Sequence, residues 1–262
     1  MLAYRINYKK TVAEIYVPEK HNDITVIHLP GLPGLVTKNE ITFALVRAGC
    51  VVFHPQYSGS FDSAGSFSPK QCLQDVKKFI VMAREKSFSE EYFHKKLTIK
   101  TKKIVLLGSS YGSSIAALSV RLSGISGIVL LSPVLTYNQA LITKEVSKFD
   151  FHAQMMELIN LLQRTFPYTY RIKNKNLLIQ FLLGEELEFD PIRALEKNLN
   201  VPLLLIHGKQ DLSIPYQLSK RLLKRFLSDK SYVALFPLKV GHSTSSYGKV
   251  EQKKIVDFIR HI

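Results

Sequence analysis

Cysteine is nearly absent from this chain. Only Cys50 and Cys72 occur among 262 residues, which excludes a disulfide framework and suits a reducing compartment. The pair has no metal-ligand spacing, so no metal is expected. Long apolar runs are missing too: none approaches the roughly 18–20 residues that a membrane span needs. Residues 1–8 alternate apolar and polar side chains, as a half-buried strand does, and lack the charged-then-apolar order of a secretion signal. The expectation is a soluble, cytoplasmic protein. Acidic residues are scarce, with 21 Asp and Glu against 36 Lys and Arg, for a net charge of +15. Such an excess can attract nucleic acid, anionic membrane or an acidic substrate. The bases are scattered, however, in pairs such as Lys77-Lys78, Lys102-Lys103 and Lys253-Lys254, and no nucleic-acid-binding motif accompanies them. A solvated basic surface is therefore expected, without a nucleic-acid partner; peripheral contact with an anionic membrane stays open.

What is present is an apolar fraction of 46% and a regular alternation of short β-branched runs with amphipathic stretches. That pattern predicts one α/β domain over 1–262, with a mostly parallel central sheet and helices on both faces. Strands are expected over 3–8 and 12–17 as a hairpin, then over 24–29, 50–54, 104–107, 127–131, 202–206 and 232–236. Helices are expected near 39–48, 69–84, 111–122 and 216–227, and from 249 onward. Between about 134 and 200 the alternation breaks into helical spacing with one apolar run, Leu177 to Leu183. This reads as a helical lid inserted into a continuous sheet. The stripe within Phe151 to Leu162 needs no more than packing of that lid on the core, although it could also line a pocket for an acyl chain.

The sharpest motif is Gly108-Ser109-Ser110-Tyr111-Gly112, placed between an expected strand and an expected helix. A tight strand-to-helix turn pushes a serine hydroxyl out above the sheet, and only glycines leave room for the backbone on either side. Ser110 is thus the candidate nucleophile. A serine hydroxyl needs a base within hydrogen-bond reach. Of the eight histidines, His242 falls on the loop after the last expected strand, where an α/β sheet delivers side chains to its carboxyl edge. His28 and His207 end strands and read as holding turns. The imidazole needs a carboxylate to fix its tautomer. Asp211 follows a strong strand, whereas Asp190 lies in the suspected lid and Asp257 within the final helix. Backbone N–H donors for a developing oxyanion are expected from Tyr111, at a helix start, and from Leu32, in the turn after the third strand.

Four segments give the chain a resemblance to the α/β-hydrolase superfamily: Leu29 to Gly34, Gly108 to Gly112, His207 to Pro215, and Gly241-His242. The first is similar to the superfamily's His-Gly-x-Pro-Gly oxyanion turn, with proline in the histidine's place. The loop from Pro55 to Phe67 is similar to a Tyr-Arg-Gly-x-Gly-x-Ser-x-Gly loop of esterases and of the prolyl-oligopeptidase-like branch, with Ser58 in place of arginine. The resemblance implies a cofactor-free serine hydrolase acting on a small acyl substrate, a carboxylic ester or thioester, through an acyl-enzyme. It leaves open a small serine peptidase of the prolyl-oligopeptidase-like kind, and a binding protein that kept the fold without the chemistry.

Overall fold

The computed structural model describes residues 1–34, 39–85, 87–186 and 189–262. The chain opens with β1 (Leu2–Tyr8) and β2 (Thr11–Val17), an antiparallel hairpin in which Tyr8 faces Thr11. Its two linking residues, Lys9 and Lys10, have φ of 51° and 67°, as a two-residue turn matched to strand twist requires. Next come β3 (Ile24–Leu29), α1 (Glu40–Arg47), β4 (Val51–Pro55) and α2 (Pro69–Arg84). The short pair β5 (Ser87–Ser89) and β6 (Lys96–Thr98) precedes β7 (Lys103–Ser109), α3 (Tyr111–Leu118) and β8 (Gly127–Leu131). Helices α4 (Gln139–Glu145), α5 (Phe151–Thr169), α6 (Lys175–Leu182) and α7 (Pro191–Asn198) lie between β8 and β9 (Leu203–Ile206). The chain closes with α8 (Tyr216–Phe226), β10 (Val233–Leu235) and α9 (Lys249–Arg260).

One eight-stranded sheet runs in the order β1-β2-β4-β3-β7-β8-β9-β10. Only β2 runs against the others, antiparallel to both β1 and β4, and every other neighbouring pair in the sheet is parallel. Every residue of β3, β4, β8 and β9 is buried, because a parallel sheet is covered on both faces. Alternation along each strand then divides the core. Val105, Leu107, Val129 and Leu204 pack toward Ile255 and Ile259 on one face. Leu106, Leu130 and Leu205 pack with Ile115, Phe79 and Leu218 on the other. Among the described residues no helix is long and apolar enough to cross a membrane.

Most expected elements are found within a residue or two. Helix α3 is shorter than expected, ending at Leu118 with Ser119 as its C-cap; Gly124, at φ 90°, turns the chain back toward β8. The apolar run from Leu177 forms α6, started by the Asn174 side chain, which accepts from Asn176 N and Leu177 N. Gly184 ends it at φ 74°, where a Cβ would lie 2.0 Å from Tyr137 O. The β5–β6 pair has no counterpart in the sequence reading, since three-residue strands leave too little pattern to detect.

Candidate active site

The motif around Ser110 is a sharp turn between β7 and α3. Ser110 sits at φ 52° and ψ −118°, a conformation that costs a non-glycine residue on the order of 1–3 kcal/mol. Close packing holds it there. A Cβ on Gly108 would come within 2.3 Å of Gly112 O, and one on Gly112 within 2.2 Å of Leu29 O, so the elbow admits only glycine at either flank. Ser110 N donates to Leu131 O at 2.9 Å. Ser113 Oγ donates to Gly108 O at 2.6 Å and accepts from Leu131 N at 3.1 Å, tying the first turn of α3 to the ends of β7 and β8.

The structure brings the three expected side chains together from the ends of different strands. His242 Nε2 lies 3.0 Å from Ser110 Oγ, and His242 Nδ1 lies 2.8 Å from Asp211 Oδ2. In the tautomer whose Nδ1 proton is directed at the carboxylate, Nε2 is free to accept from the serine hydroxyl. Asp211 Oδ1 accepts from Ser213 N and Ile214 N at 3.0 and 2.9 Å. Burial pushes the Asp211 carboxyl upward, but hydrogen bonds from His207 and His242, the His242 charge and the Ile214 N–H outweigh it. The group is held well below the usual carboxylate range.

His207 is the residue that sequence reasoning undervalued. Its Nε2 donates to Asp211 Oδ2 at 3.0 Å and to Ile214 O at 2.9 Å, while Nδ1 accepts from Ser219 Oγ at 2.8 Å. Two acceptors at Nε2 require a proton there. The same carboxylate oxygen therefore serves both histidines. The available signal was the spacing of His207 and Asp211, four residues apart directly after a strand. His28 stands behind the elbow, its Nε2 3.0 Å from Ser109 Oγ, and burial pushes its pKa down to about 3.

Leu32 and Tyr111 are both buried and both line a cavity of about 170 Å³ that opens at Ser110 and His242. The rest of its wall is mostly apolar, with Val134, Met155, Leu158 and Leu182 prominent. Gly31 lies against the elbow, a Cβ there falling 3.5 Å from Ser110 Cβ. The loop resembling the esterase pattern is anchored without its arginine. Asp75, buried on α2, accepts from Ser58 N at 2.7 Å and Ser58 Oγ at 2.8 Å. Arg171, beyond α5, donates to Phe61 O and Ser63 O.

No family model and no curated protein matches the chain. Solved structures match over nearly its whole length. The α/β hydrolase GrgF from Penicillium sp. sh18 is 12% identical, with 100% of this chain and 99% of that one covered and a TM-score of 0.70. An esterase of Pyrococcus furiosus is 15% identical, over 99% and 90% of the two chains, at a TM-score of 0.66. Est1E from Butyrivibrio proteoclasticus is 16% identical, over 99% and 96%, at 0.61. The chain has the α/β-hydrolase fold.

Proposed function

We propose that the chain is a serine hydrolase that cleaves carboxylic esters, thioesters included, through an acyl-enzyme. The observation that carries this reading is the continuous path from Ser110 Oγ through His242 to Asp211, with contacts of 3.0 and 2.8 Å. In the reaction Ser110 Oγ attacks the ester carbonyl while His242 Nε2 takes its proton. The backbone N–H groups of Leu32 and Tyr111 receive the carbonyl oxygen as it becomes negative. Collapse expels the alcohol, which takes the proton from His242, and leaves the acyl group on Ser110. Water, deprotonated by the same nitrogen, attacks the acyl carbon; collapse releases the acid and returns the proton to Ser110. Asp211 holds the imidazole in the required tautomer and stabilises its charged form.

Esters rather than peptides are supported by the esterases among the structural neighbours and by a small apolar cavity, which suits an acyl group better than a polypeptide. The substrate is thus a small molecule, and the segment 134–200 acts as a lid whose α5 and α6 wall the acyl side. The test is labelling by a fluorophosphonate, with the modified peptide identified by mass spectrometry. Wild type should label on Ser110 and Ser110→Ala should not, and the variant should lose roughly 10⁴- to 10⁶-fold in kcat. Folded wild type that fails to label, or a variant that keeps most activity, overturns the reading.

A further inference from the structure

The basic charge is scattered along the sequence, but the fold gathers part of it. Lys70 and Lys77 from α2, Arg121 from the turn after α3, and Arg193 and Lys197 from α7 all line one groove of about 560 Å³. Arg193 is already engaged. Its guanidinium donates to Glu196 at 2.9 Å and lies 4.4 Å over the Phe226 ring. Lys70, Lys77, Arg121 and Lys197 are exposed, and none has an acidic partner among the described residues. Five cations here face a single lining carboxylate, Asp190, whose own pKa burial pushes up to about 6.

The protein leaves the polar groups of this groove unfinished. Ser119, only 2% exposed, lines it with an Oγ that has no hydrogen-bond partner, and Asp190 Oδ1 has none either. An unpaired buried hydroxyl costs about 1–3 kcal/mol, which a ligand oxygen accepting from Ser119 could recover. The groove also has apolar wall, from Leu73, Leu118 and Leu122. Its volume falls within the range of small-molecule sites, and none of its residues lines the cavity at Ser110.

We propose that this groove binds a small phosphate-bearing molecule with an apolar or aromatic part, at a site separate from Ser110. Lys70, Lys77, Arg121 and Lys197 neutralise the phosphates, with Arg121 able to grip two oxygens at once. Ser119 donates to a further oxygen, and the leucine wall takes the apolar part.

Calorimetric titration with tripolyphosphate and with ATP, at fixed ionic strength, tests this on the whole chain and reads binding rather than turnover. It therefore succeeds or fails independently of the hydrolase reading. Wild type should bind both, ATP more tightly. The double variant Lys77→Ala/Arg121→Ala should lose about a hundredfold in affinity, from two charge-assisted contacts at roughly tenfold or more each. The control Lys220→Ala/Lys224→Ala, which removes the same charge from exposed positions of α8 outside the groove, should bind as wild type does. Ser119→Ala should weaken binding without lowering Tm, a result that a merely structural serine would not produce. No variant should melt below wild type. Absence of binding in wild type, or equal losses in the two double variants, overturns the proposal. So does indifference to both anions combined with sedimentation on phosphatidylcholine vesicles containing phosphatidylserine, which would make the groove a membrane contact.

Discussion

Asp211 is asked to serve two histidines with one oxygen, and that sharing explains several features of the site. His207 and His242 both approach Oδ2, at 3.0 and 2.8 Å, while Oδ1 is occupied by two backbone N–H groups. The carboxylate is thus fixed in orientation, and under the hydrolase reading proposed above His207 acts through it as a positioning residue. Replacing His207 by Leu removes a donor to a carboxylate, worth about 1.5–3 kcal/mol. If that stabilisation is expressed in the transition state, kcat should fall roughly 10- to 100-fold with KM little changed, and His207→Gln, which restores an N–H donor, should recover part of the loss. A second readout follows from the depressed Asp211 carboxyl. The stability contributed by its ionised form is complete above the unfolded value, about 3.9, and is lost as pH falls through the lower folded value. Taking away the His207 proton donor raises the folded value and shrinks that contribution, so the acid unfolding midpoint of His207→Leu should move to higher pH. A kcat loss with no shift in the acid transition would mean that His207 acts only through packing.

Elements differ in how plainly the sequence announces them, and the difference is physical. Ser110, Asp211 and His242 stand just beyond strands whose apolar runs are unmistakable, and each lies in a turn built on glycine or proline, so local pattern alone is enough to single them out. The β5–β6 pair and the exit of α3 depend on short-range packing that leaves no period to read. The walls of the cavity are harder still. Met155 and Leu158 come from α5 and Leu182 from α6, and an apolar stripe looks the same whether it faces a core or a substrate. Here it faces both. The cavity of about 170 Å³ should admit short acyl chains, so rates on p-nitrophenyl esters should fall from acetyl and butyryl toward octanoyl and dodecanoyl. Met155→Ala should shift the preference toward longer chains and Met155→Phe toward acetyl, each with the melting temperature changed far less than the profile. A chain-length profile identical in all three proteins would remove α5 from the acyl site.

At the scale of the whole molecule, the composition that looked featureless acquires a direction. A surplus of 15 positive charges repels itself in the folded state, whereas ion pairs such as Arg5 with Asp62 and Glu91, both at 2.7 Å, attract. Salt weakens both, so its effect on stability reports which dominates. Exposed pairs contribute little, about 0–1 kcal/mol each. The surplus acts between many charges at once, and within a compact domain it is screened only when the Debye length shrinks to about 8 Å at physiological ionic strength. Repulsion should therefore win, and Tm should rise as sodium chloride is raised from low concentration to the physiological range, then level off. A polyanion that enters the groove between α2 and α7 should raise Tm further at constant ionic strength, because ligand binding to the native state adds to screening, and Lys77→Ala/Arg121→Ala should lose that second increment while keeping the first. A Tm that falls with added sodium chloride would show instead that the surface pairs carry the balance and that the excess charge is already spread widely enough to be harmless.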